Sequence, residues 1–148
     1  MSKQVIFEND KYVAWYHIGP KIVHHQILEF PNDGSLRKVL DAGATVLEKN
    51  GGTKWLSDDR AVTGVPPEDL AWSAQVWTPR MIALGWSHWA IVKPVKAMGQ
   101  VTLKRLAEEF KQLGVAVEFF TAPDAALRWL QSVWPGRDAP QVPDTALR

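Results

Sequence analysis

The chain has 148 residues, 46% of them hydrophobic, with 17 basic against 16 acidic side chains and no cysteine. The near-neutral balance supplies no overall field for nucleic acid or an anionic membrane, and the missing thiols exclude disulfides, thiolate zinc sites and cysteine nucleophiles. A domain of this length buries about 70% of the surface its unfolded chain exposes, and no run approaches the roughly 18 consecutive apolar residues of a membrane span.

The N-terminus, from Met1 to Glu8, lacks the apolar stretch of a signal peptide, so the expectation is a cytoplasmic protein. Val5-Ile-Phe7 is a short apolar strand, and Glu8-Asn-Asp10 supplies turn chemistry. The aromatic and β-branched run Tyr12 to His17 is a second strand, broken by Gly19-Pro20 before a third from Ile22 to Leu28. Three such strands form a meander. Pro31 ends the third strand, and Asn32 or Asp33 can cap a helix bearing Leu36, Val39, Leu40, Gly43, Val46 and Leu47 at helical spacing. Asn50-Gly51-Gly52 closes that helix.

From there helix and strand alternate. A strand holding Trp55 and Leu56 is followed by a loop with Gly64 and Pro66-Pro67, a tryptophan-bearing helix and the strand Ser87 to Lys93. A helix with Leu103, Leu106, Ala107, Phe110 and Leu113 on one face ends at Gly114. The strand Val115 to Phe120 and a helix opened by Thr121 and Pro123 complete the pattern. Apolar strands in strand-helix alternation imply parallel pairing. The fold class is therefore α/β, a mixed sheet with an antiparallel N-terminal meander followed by parallel strands. Residues 1–134 form a single domain, and residues 135–148, with three prolines and no apolar periodicity, form a mobile tail.

On the tryptophan helix, a turn of 100° per residue gathers Leu70, Ala74, Trp77, Met81 and Leu84 on the core face. Trp72, Val76, Pro79 and Ala83 fall opposite, while Pro79 lacks the donor for the carbonyl four residues back and can kink the helix. Leaving Trp72 exposed forgoes burial worth roughly 4–6 kcal/mol. It therefore either tucks under a neighbouring segment as ordinary core or meets a partner, with a homodimer the first candidate.

Asp58 and Asp59 end the central strand, where open α/β sheets most often hold ligands. Strand alternation sends them to opposite sides, which makes a joint acid/base pair a poor fit. A structural contact with Arg60, Arg80 or loop amides is the plainer reading. His24 and His25 likewise diverge and cannot chelate together. His17 or His88 can join one of them only through tertiary contact, so no metal is expected. Nothing matches a phosphate loop or nucleophile elbow, and no cofactor is implied.

Lys54-Trp-Leu-Ser-Asp-Asp-Arg60, Pro66-Pro-Glu-Asp69, Trp72, Trp77-Thr-Pro-Arg80, Ala90-Ile-Val-Lys-Pro94, Val117-Glu-Phe-Phe120 and Ala126-Leu-Arg-Trp-Leu130 together carry a family resemblance. From about Lys3 to Val133 the chain resembles the SpoIIAA-like branch of the STAS superfamily, the sulfate transporter and anti-sigma factor antagonist domains. That likeness implies about four helices packed mainly on one face of the sheet, and a binding or regulatory role rather than catalysis. The family's phosphorylatable serine has no counterpart here. Thr63 is the only hydroxyl in the corresponding loop, and Glu68 with Asp69 would repel its phosphate.

The functional expectation is a non-catalytic, dimeric module that takes a protein partner or a small apolar ligand at the 59–83 loop-helix surface, through Asp58, Asp59, Trp72, Val76 and Arg80. The alternative is a small enzyme or carrier with a pocket between the tryptophan helix and the sheet, using Asp58, Asp59 and Arg80. A fold-level likeness of the superfamily to lipid-binding CRAL-TRIO domains is in keeping with an apolar ligand.

Overall fold

The computed structural model describes residues 2–29 and 33–134. Pro31 as a strand terminator, Asn32 as a cap and the 135–148 tail lie outside the described residues. The antiparallel meander consists of β1 (Lys3–Glu8), β2 (Tyr12–His17) and β3 (Ile22–Ile27). After α1 (Ser35–Asn50), β4 (Lys54–Asp58), β5 (His88–Val92) and β6 (Ala116–Phe120) add in parallel, so the sheet runs in sequence order from β1 to β6. This is the mixed sheet expected from the change of pattern after Leu28.

The helical connections supply two covers. α1 packs on β1, β2 and β3, and α4 (Ala97–Gln112) lies against β6 on the same face. Among the described residues α5 (Pro123–Ser132) alone takes the opposite face, where Ala126 and Leu130 bury Ile22, Leu56, Ala90 and Val92. Lys54 is buried beneath that helix and donates from Nζ to the carbonyl oxygens of Leu130 and Val133. A cation at those carbonyls suits the negative end of the helix dipole, although burial lowers the lysine pKa.

The helix start at α1 differs in detail from expectation. Gly34 is the cap residue, at φ 84°, and Asp33 contributes through its Oδ1, which accepts the Ser35 amide at 2.9 Å. The tryptophan helix is continuous from 67 to 84, in three stretches: α2 (Pro67–Trp72), a π-helical turn (Ser73–Trp77) and α3 (Thr78–Leu84). Pro79 does not break it. The π turn, closed by the Thr78 amide on the Ser73 carbonyl, comes just before the proline and takes up the change of hydrogen-bond spacing where the chain has no donor.

Gly43 and Gly99 mark the closest approaches. A Cβ on Gly43 would run into the Trp55 indole, so its absence lets α1 lie against the sheet. A Cβ on Gly99 would strike the Val62 carbonyl and come within 2.8 Å of the Pro94 Cβ. Helix propensity favours alanine over glycine by about 1 kcal/mol, whereas overpacking against backbone costs typically about 1–3 kcal/mol. Gly99→Ala is therefore expected to lower the urea midpoint; a raised midpoint would show that the 59–66 loop yields to the methyl group.

Candidate functional site

β4 delivers its side chains alternately to the two faces. Trp55 and Ser57 face α1 and the tryptophan helix, and the chain direction carries Asp59 to the same side. Leu56 and Asp58 face α5. His25 stands beside Ser57 in the β3–β4 register. The tryptophan helix and α4 do not close over this part of the sheet. Between them lies a cleft of about 750 Å³, walled by Leu70, Ala71 and Ala74 on one side and by Leu103, Leu106 and Phe110 on the other. Met98 and Val101, both well exposed, also line it.

Tryptophans form the floor. Successive ring centroids lie 5.3 Å apart from Trp55 to Trp77, 5.3 Å from Trp77 to Trp86 and 5.6 Å from Trp86 to Trp89, and Phe110 packs tilted against Trp86 and edge-on to Trp89. Each buried indole N–H has an acceptor, as such groups require. Trp77 donates to the Leu40 carbonyl, Trp86 to the His88 carbonyl, Trp89 to Ser57 Oγ and Trp55 to His25 Nδ1.

The last of these fixes the histidine. Because Nδ1 accepts from Trp55 at 2.9 Å, the ring proton sits on Nε2, which is 3.4 Å from Asp59 Oδ1. Asp59 is 4% exposed, and burial raises its carboxyl pKa above the ordinary value, opposed in part by the His25 contact. Tyr12 lies edge-on to His25, and its hydroxyl is one of two buried polar atoms without a hydrogen bond among the described residues. Burial first, then the charge of Asp59, holds that phenol well above its usual pKa. The other unbonded atom is the hydroxyl of Thr78, whose residue lines the cleft.

The residues singled out in the sequence fall in different places. Asp59 is in the cleft. Asp58, 2% exposed, is on the opposite face and accepts from Arg60 at 2.8 and 2.6 Å, the structural contact the sequence suggested. Arg80 is drawn to α1, where it meets Glu48, Asp41 and Thr45. Asp58, Asp59 and Arg80 are therefore not brought together. Trp72 is half-buried, with the Arg37 guanidinium 5.7 Å from its ring centre and Arg37 in turn bonded to Asp69. Val76 and Thr63 are exposed. Ala74, expected in the core stripe, is exposed and borders the cleft, because the spacing between the helices leaves nothing seated on it.

The histidine pairing is partly as expected. His24 and His25 do face opposite sides, and His17 reaches His24 across the meander, with Nε2 and Nδ1 3.1 Å apart and the rings stacked. Burial lowers the His24 pKa to about 3. No group of three or more metal-ligating side chains occurs among the described residues. Nor is any helix among them long and apolar enough to cross a membrane.

The sequence offered His25 only as a metal-ligand candidate, and Ser57, Trp89 and the α4 wall were not proposed as parts of a site. Alternation along β4 could have grouped Ser57 with Asp59, but His25 joins them only through strand pairing and α4 only through packing. Comparisons with family models, curated proteins and solved structures give no match.

A raised carboxyl pKa in the fold means that folding favours the protonated Asp59. Its contribution to stability is greatest below the ordinary aspartate pKa and is lost as pH rises through the folded value. Asp59→Asn cannot ionise, so its melting temperature should exceed that of the unmodified protein at about pH 7, by roughly 2–4 °C for each kcal/mol of charge burial relieved. The difference should shrink on acidification. Parallel melting curves for the two proteins across the acid range check this, and equal curves would mean that Asp59 is solvated.

Proposed function

We propose that the chain is a non-catalytic binding module whose cleft between the tryptophan helix and α4 takes a small, largely apolar molecule. The cleft itself carries the reading. Its volume of about 750 Å³ falls within the roughly 300–1,000 Å³ usual for small-molecule sites, and its make-up, apolar walls with a few polar groups converging at the floor, is what such sites use to combine affinity with orientation. Membership of the STAS-like regulatory domains is part of the same proposal and accords with the strand order.

The polar groups favour binding over chemistry. His25 Nδ1 is occupied by Trp55, and Ser57 Oγ already accepts from Trp89. Neither arrangement supplies a nucleophile with a free base beside it. Among the surfaces proposed from the sequence, the Trp72 face has the weaker support, since Arg37 covers part of that ring. A dimer through the exposed Val76 and its surroundings is part of the same proposal.

An uncharged apolar dye, N-phenyl-1-naphthylamine, should brighten on binding, with a dissociation constant of about 1–10 μM, near 7–8 kcal/mol. Ala74→Phe, which places a ring in the cleft from an exposed position, should weaken that binding at least about tenfold while the melting temperature holds. Unchanged dye binding by this variant would locate the dye elsewhere and remove the support for this reading.

A further inference from the structure

Asp58 and Asp59 are adjacent, yet only one of them has its charge answered. Asp58 receives a two-pronged guanidinium from Arg60. Asp59, equally buried, receives a single side-chain contact from the described residues, His25 at 3.4 Å. A carboxylate offers about four acceptor positions, and one long hydrogen bond does not offset the desolvation of a charge.

The nearby cations are engaged elsewhere: Arg37 with Asp69, Arg60 with Asp58, and Arg80 with Glu48 and Asp41. The other charged or titratable groups lining the cleft are His25 from the sheet, Asp69 from α2, and Arg105 and Glu109 from α4, with Tyr12 behind His25. Asp69 is neutralised by Arg37, and Arg105 and Glu109 are exposed on the α4 wall with opposite charges. Asp59 is therefore an acid with no lysine or arginine paired to it among the described residues, in a cleft whose lining also includes Trp55, Trp77, Trp86 and Trp89, and aromatic rings favour a cation.

We propose that the cleft selects an amphipathic amine, with its apolar body against Trp55, Trp77 and Trp89 and its ammonium group on the Asp59 carboxylate. This rests on the cleft being a ligand site and specifies the chemistry of the ligand. An ammonium group brings up to three donors and the opposite charge, so hydrogen bonding that was a single long contact becomes charge-assisted. A hydroxyl supplies a donor without the charge, and a carboxylate head would be repelled.

The test compares n-decylamine, 1-decanol and decanoate on the full chain near pH 7, by calorimetry and by quenching of the cleft tryptophans. Decylamine should bind roughly 10- to 100-fold more tightly than decanol, and decanoate more weakly than either. Asp59→Asn should bring the amine-to-alcohol affinity ratio down to about one, because the charge that distinguishes the two head groups is gone. An amine-to-alcohol ratio of one or less in the unmodified chain overturns the proposal without recourse to any variant, while leaving the apolar cleft intact if decanol binds. A ratio that survives Asp59→Asn also overturns it, by placing the ammonium elsewhere. If none of the three binds, the ligand-site reading and the amine proposal fall together.

Discussion

The two-residue alternation of β4, held between β3 and β5 in parallel register, is the constraint on which the rest depends. It sends Trp55 and Ser57 to one face and Leu56 and Asp58 to the other, with Asp59 following the first pair. A slip of one residue would bury Asp58 in the cleft and set Trp55 against α5. Both faces are covered, so such a slip would place charges against apolar walls on either side. The strand thereby separates two tasks that its paired aspartates would otherwise share. Asp58 closes a structural ion pair with Arg60, while Asp59 remains at the floor of the cleft.

The cleft exists because the helices on that face are held apart by contacts made elsewhere. Trp77 anchors the tryptophan helix to α1 through the Leu40 carbonyl, and Arg80 adds a second tie to Glu48 and Thr45. Gly99 draws the start of α4 against the Val62 carbonyl, and Phe110 seats the rest of that helix on Trp86 and Trp89. Between the two anchorages the helices cannot close without breaking one set of contacts. The π turn at Ser73–Trp77 belongs to the same arrangement, since it lies along the cleft wall just before Pro79. Such turns are frequent at functional sites.

Polar groups beneath the cleft are ordered by tryptophan rather than by other charges. Trp55 assigns the proton of His25 to Nε2, and Trp89 orients Ser57. Indole N–H groups donate only, so each of these contacts leaves its partner with a defined remaining role. His25 turns its own donor toward Asp59. The direction of donation thus runs from the aromatic floor to the carboxylate, and the charge there is met by a dipole and not by a cation.

The amino-acid sequence alone determined the order of strands and helices, the antiparallel-to-parallel change and the divergence of Asp58 from Asp59, because each follows from periods of 2 and 3.6 residues and from local turn chemistry. It also brought out the conflict between Pro79 and a regular helix, whose resolution by a π turn depends on packing. What only the tertiary structure decided was which faces are covered and by what. Helical projection placed Ala74 in the core and Trp72 outside it, yet Ala74 borders a cleft and Trp72 lies partly under Arg37. His25 met Asp59, and Lys54 met the end of α5, across 34 and 76 residues respectively. Projection and alternation fix the direction of a side chain; its neighbours are set by packing between elements far apart in the chain.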